Sequence, residues 1–140
     1  MGRIKYLLDT NILSEPACQN PNPLVIDRFQ QYDGQFATSS IVWHELLYSV
    51  AVLPNSKKKT HLQTYLKVLQ ENGLIIIPFD NVAAEWFAQQ RTSLKAQGKS
   101  SAYVDGEIAA VAAINKLILV TRNTDDFKYF DNLTLENWFE

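Results

Sequence analysis

The sequence predicts an α/β fold: an α/β/α domain of three layers around a four- to five-stranded, mostly parallel sheet. Three observations point there. Two unbroken apolar runs, Leu74-Ile75-Ile76-Ile77-Pro78 and Leu117-Ile118-Leu119-Val120-Thr121, lack the in-and-out alternation of a strand wetted on one side and match strands covered on both faces. Segments long enough for helices alternate with these and other short apolar runs. With 140 residues, 46% hydrophobic and 20% charged, and only 5 Gly and 5 Pro, the chain has ordinary globular usage, which excludes collagen-like, low-complexity and disordered classes. Residues 1–140 are expected to form a single domain.

Residues 4–8 make a short strand closed by Asp9-Thr10-Asn11, residue types that end a strand and open a turn or helix cap. After a Pro/Asn loop at 20–23, Leu24, Ile26 and Phe29 mark a first helix ending before Gly34. Residues 35–38 give a second short strand. Ser39-Ser40 then caps a helix through Leu53, with Ile41, Val42, Leu46 and Val50 on its apolar face and Pro54 as its stop. Residues 57–70 carry Leu62, Tyr65, Leu66 and Leu69 at steps of three and four, which is one helix face, and Asn72-Gly73 ends it. The run 74–78 follows as a doubly buried strand. Asp80 caps the next helix, which bears Val82, Trp86, Phe87 and Leu94 and stops at Gly98. Beyond a Ser-rich loop, residues 103–116 are Ala-rich and helical. Residues 117–121 are the second doubly buried strand, and 133–139 add an edge strand.

Charge excludes one class of function. With 13 Lys+Arg against 15 Asp+Glu, a net charge of -2, the chain does not coat nucleic acid by bulk positive charge; any such contact is local or metal-assisted. The lone Cys18 allows neither an internal disulfide nor a cysteine metal cluster and fits a reducing cytoplasm. The N-terminal apolar run meets Asp9 too soon for a signal peptide, and Tyr6 stands where a myristoylation signal starting at Gly2 has Ser or Thr. No stretch reaches the roughly 18 apolar residues of a membrane span. A cytoplasmic protein without membrane contact is expected.

In an open parallel sheet the ligand crevice lies beyond the carboxyl ends of the strands. Asp9 follows the first strand, Glu45 lies early in the helix after the second, Asp105 opens the Ala-rich helix, and Asp125 and Asp126 follow the last buried strand. Each alone reads more readily as a cap, a turn former or a solvated acid. Together they fall on one rim, where carboxylates repel and raise one another's pKa unless a cation joins them. Mg2+ or Mn2+, hard and oxygen-loving, resolves that conflict. Rival chemistries lack their residues. His44-Glu45-Leu46-Leu47-Tyr48 starts like a zinc-protease helix but has Tyr48 in place of the second His. There is no nucleophile elbow and no glycine-rich phosphate loop.

Four segments, in order and spacing, resemble one known family: Tyr6-Leu7-Leu8-Asp9-Thr10-Asn11-Ile12-Leu13, Thr38-Ser39-Ser40-Ile41-Val42-Trp43-His44-Glu45-Leu46, Val104-Asp105-Gly106-Glu107-Ile108-Ala109-Ala110, and Leu119-Val120-Thr121-Arg122-Asn123-Thr124-Asp125-Asp126-Phe127. The family is the PIN domains, especially the VapC-like ribonuclease toxins of type II toxin–antitoxin pairs. The resemblance implies that Asp9, Glu45, Asp105 and Asp126 are the catalytic, metal-coordinating acids, holding one or two Mg2+ or Mn2+ ions. It makes Thr10, Asn11, Ser39, Thr121 and Asn123 the supporting residues around them. It also implies RNA cleaved by in-line water attack to leave a 5′-phosphate and a 3′-hydroxyl, a homodimer, and a VapB-like antitoxin assembled with it as a heterotetramer or larger, its tail entering the groove. Candidate RNA contacts are Arg122, Lys57, Lys58 and Lys59, with Lys95 and Lys99 beside them. Two alternatives are a non-catalytic PIN-fold RNA-binding module and a haloacid-dehalogenase-like phosphatase; the latter expects a second acid where Asn11 stands.

Overall fold

The computed structural model describes residues 3–140; the Gly2 of the myristoylation reading lies outside them. Five strands form one sheet: β1 (Tyr6–Leu8), β2 (Phe36–Ser39), β3 (Ile75–Ile77), β4 (Ile118–Val120) and β5 (Leu135–Glu136), in the order β3-β2-β1-β4-β5. Every neighbouring pair is parallel. The helices are α1 (Thr10–Leu13), α2 (Pro23–Gln31), α3 (Ser40–Ala51), α4 (Lys57–Glu71), α5 (Asn81–Ala96) and α6 (Tyr103–Ile114). The chain steps from β1 through β2 to β3 toward one edge, then crosses back past β1 to β4. With right-handed crossovers such a reversal moves the connecting helices to the opposite face, which yields the three layers. It also makes the carboxyl ends of β1 and β4 the switch point at which a crevice opens.

The core is built on β1, which is paired on both sides. Leu7 lies in register between Ala37 and Leu119, and Leu8 between Thr38 and Val120; all six are fully buried. Two features depart from expectation. The run 74–78 is not covered on all sides: β3 is an outer strand paired only with β2, and Ile75 is 47% exposed. Helices above and below an edge strand select the same apolar residues as a central strand, but its outer flank stays open. Residues 10–17 hold α1 and a 3-10 turn, Glu15–Ala17, both too short to show helical periodicity. The tail joins the sheet as expected and is pinned by the buried Trp138, whose ring meets Tyr6 edge-on at 5.4 Å and stacks on Tyr32 at 5.7 Å. Among the described residues no helix is long and apolar enough to cross a membrane.

Candidate active site

Each of the four acids comes from a different element. Asp9 directly follows β1, and its N–H donates to Val120 O at 2.9 Å. Its Oδ1 accepts from the N–H of Thr10 at 2.8 Å, capping α1, and its Oδ2 accepts from Thr121 Oγ1, just past β4, at 2.8 Å. The carboxylate therefore ties the two strand ends together at the switch point. Burial pushes its pKa up, the Thr121 and Thr10 donors pull it back, and the nearby charge of Asp126 pushes it up again. Glu45 lies on the second turn of α3, half-buried, and accepts from Thr10 Oγ1 at 3.4 Å.

Asp105 sits in the first turn of α6, half-buried, with its pKa raised to about 6 by desolvation first, then by the charges of Asp9, Asp126 and Glu45. That set of neighbours places all four acids in one electrostatic field. Asp126 reaches it from an exposed 3-10 turn after β4, Thr124–Asp126. The only ion pair among the described residues joins Lys128 to Asp125 at 3.8 Å on the surface, so no basic side chain is paired with Asp9, Glu45, Asp105 or Asp126. The carboxylates feel one another's charge without closing on a point: among the described residues no three His, Cys, Asp or Glu side chains are drawn together tightly enough to enclose a metal ion.

The supporting residues divide. Thr10 and Thr121 donate to the acids, as expected. Ser39 does not: its Oγ accepts from the N–H of Val42 at 3.1 Å and caps α3, so it orients the helix that carries Glu45. Asn11 does not hold an acid either; its Oδ1 accepts from the N–H of Arg122 at 3.2 Å, stapling α1 to the loop after β4. The N–H of Asn123 donates to Thr121 Oγ1 at 3.1 Å, which leaves that hydroxyl's proton for Asp9. The candidate RNA contacts are scattered. Lys59 Nζ donates to Ala51 O and Leu53 O, both at 3.0 Å, closing the end of α3. Lys57 is exposed at the start of α4, and Lys58 beside it lies near Cys18. The Arg122 guanidinium stands 4.4 Å from the Phe139 ring centroid.

A family model described as PIN domain matches residues 6–133. The chain belongs to the PIN-domain family. It is similar to Toxin FitB of Neisseria gonorrhoeae, 37% identical over 139 residues and covering 96% of this chain and 99% of FitB. It is also similar to Ribonuclease VapC2 of Rickettsia felis, 34% identical over 134 residues and covering 95% and 97% of the two chains. A solved structure of FitAB bound to an IR36 DNA fragment matches with a TM-score of 0.87 at 34% identity and 96% coverage of either chain.

Within this PIN domain the sequence left one structural residue unmarked. Thr38 is buried at the end of β2 and donates from Oγ1 to Leu8 O at 2.9 Å, fixing the last carbonyl before Asp9. A threonine in a strand reads as a plain β former, so only the register reveals it. The Thr121 contact gives a prediction. Thr121→Val keeps the shape but removes the donor to Asp9, and its effect is an expected divalent-ion affinity weaker by about 10-fold, the scale of losing an outer hydrogen bond at a metal site. Calorimetric titration with Mn2+ measures it, and unchanged affinity would remove Thr121 from the site.

Proposed function

We propose that this PIN domain is an endoribonuclease, the toxin of a type II toxin–antitoxin pair, and that Asp9, Glu45, Asp105 and Asp126 hold one or two Mg2+ or Mn2+ ions at its active centre. The observation that carries this reading is the electrostatics of the rim: the carboxylates of Asp9, Asp126 and Glu45 act together on the half-buried Asp105, and among the described residues no basic group forms an ion pair with any of the four. The donor set is carboxylate and hydroxyl oxygen, without thiolate or imidazole, which fits a hard divalent cation. Their open spacing fits acids held apart by repulsion, which a cation would draw inward. A bound ion of this kind supplies a water of lowered pKa and positive charge against a phosphodiester.

The chain's own groups set the stage for that chemistry. Thr121 and Thr10 fix both oxygens of Asp9, and Thr10 also orients Glu45. Burial of Asp9 keeps water from competing on its inner side. The names of the relatives, ribonuclease and toxin, support RNA as substrate; in-line cleavage to a 5′-phosphate and a 3′-hydroxyl is the outcome that attack by a metal-activated water gives. The FitAB complex supports a partner chain; an antitoxin tail carrying Arg or Lys would complement the acidic rim. We further propose that residues 1–140 act as one domain, as a homodimer in the cytoplasm and as a heterotetramer or larger with antitoxin.

Incubating the purified chain with a total RNA pool tests the reading. Cleavage is expected in Mg2+ or Mn2+, absent in excess EDTA, restored when the ion is returned, and to yield ends that ligate as 5′-phosphates. Cleavage that persists in chelator, or 2′,3′-cyclic phosphate ends, would overturn it.

A further inference from the structure

The end of α5 and the start of α6 wall a groove of about 510 Å3 whose lining includes Arg91, Lys95, Lys99, Ser101 and Tyr103. Its charge is unlike that of the chain as a whole. Between Glu85 and Asp105 the sequence has three cations and no acid, and none of the three joins an ion pair. Arg91 and Lys95, four apart on α5, share a helix face. The Arg91 guanidinium lies 4.4 Å from the Tyr103 ring centroid and donates to Tyr103 Oη at 2.8 Å. That contact holds the tyrosine in place while leaving it 61% exposed. Ser101 Oγ is the one buried side-chain polar atom without a hydrogen-bond partner among the described residues. No side chain caps the start of α6, so the N–H groups of its first turn are left for another acceptor.

Cations outside any ion pair, the uncapped first turn of α6 and an exposed aromatic ring together match the way single-stranded nucleic acid is gripped: cations track the phosphates and a base stacks on the ring. A duplex hides its base faces, and an acidic peptide leaves the tyrosine unused. We propose that this groove is a binding subsite for single-stranded RNA, with Lys95 and Lys99 on backbone phosphates, Tyr103 stacking a base and Arg91 holding that ring in place. The proposal rests on the ribonuclease reading of the rim. Tyr103 and Asp105 are two apart on the first turn of α6 and point to different sides of it, so a strand passing that helix end meets both groove and rim.

The test is the Lys95→Gln/Lys99→Gln double variant with a fluorescein-labelled single-stranded RNA 12-mer. In EDTA, where nothing is cut, fluorescence anisotropy is expected to show about 10-fold weaker binding. The slope of log K against log salt is expected to flatten by about 1.4, since each lost single-strand phosphate contact removes about 0.7. With divalent ion the KM for RNA is expected to rise by a similar factor while kcat stays within about twofold. Hydrolysis of bis(p-nitrophenyl) phosphate, too small to reach the groove, should be unchanged, and a matching melting curve shows the fold intact. Unchanged RNA affinity and salt slope would overturn the proposal, as would equal competition by duplex RNA or polyglutamate. A wild-type chain that binds RNA through these lysines but cuts none would instead sink the ribonuclease reading and leave the groove standing.

Discussion

An Asp105→Asn variant is expected to lose at least about 100-fold in divalent-dependent RNA cleavage, about 2.7 kcal/mol of transition-state stabilisation, and yet to be more stable than the parent when no divalent ion is present. Both effects have one cause. Burial first, and then the charges of Asp9, Asp126 and Glu45, raise the pKa of the Asp105 carboxyl from 3.8 to about 6. A folded-state pKa raised in this way means that between about pH 4 and 6 the native chain holds a proton that the unfolded chain has released. Stability in EDTA therefore rises as pH falls through that window, and at pH 7 the charge is a net penalty. Asparagine carries no charge, and Asp105 accepts no hydrogen bond from the described residues, so the substitution relieves repulsion without leaving a donor unpaired. With half of the group in contact with solvent, the gain at pH 7 is on the order of 1 kcal/mol, and it vanishes near pH 4. Thermal melts at pH 4, 5.5 and 7 in EDTA, repeated with Mn2+, measure this. Mn2+ should raise the melting temperature of the parent and not of the variant. An Asp105→Asn protein that keeps its activity, or is less stable in EDTA at pH 7, would sever Asp105 from the site.

The acids were readable in the sequence because the logic that places them is topological. A residue just past a parallel strand, or in the first turns of the next helix, has few places to go but the carboxyl rim, and Asp9, Glu45 and Asp126 occupy such positions; Asp105 opens α6, which follows α5 and leads into β4. What surrounds them was less readable, because a hydroxyl or amide carries no sign of its partner. Thr121 and Thr10 met the acids, whereas Ser39 went to the N–H groups of α3 and Asn11 to the backbone of Arg122. The lysine run at 57–59 shows the same limit. An ammonium near the end of a preceding helix finds free carbonyls there, as Lys59 does, and spacing alone does not distinguish that from a phosphate contact. In the fold, β1 and β4 followed from their apolar runs, while β2 and β5 lie where short strands were expected, near 35–38 and 133–139. Position in the sheet did not follow, since Ile75, Ile76 and Ile77 have a composition that suits an outer strand under two helical layers as well as an inner one.

Gly106→Ala is expected to destabilise the protein by about 2 kcal/mol, although alanine is the better helix former by about 1 kcal/mol. The sign is decided by the α5–α6 contact. Gly106 is buried one residue after Asp105, and a Cβ built on it would run into Cε1 and Cζ of the Phe87 ring. That ring has little room to yield: it is 7% exposed, it meets Tyr103 edge-on at 6.4 Å, and the Arg91 guanidinium lies 5.8 Å from its centroid. The methyl must then push α6 away from α5, which costs more than the helix propensity returns. Urea unfolding reads the loss. A Phe87→Leu partner, which lacks Cε1 and Cζ, the two nearest of the three clashing ring atoms, should recover part of it, so that the double variant is more stable than the sum of the single changes by at least about 1 kcal/mol. Because Asp105 rides on the same turn, displacing α6 also moves its carboxylate off the rim. RNA cleavage by the folded Gly106→Ala protein should accordingly fall, and return with Phe87→Leu. A Gly106→Ala variant as stable as the parent would mean that α5 and α6 can separate freely, and would remove the packing that holds Asp105 against the other three acids.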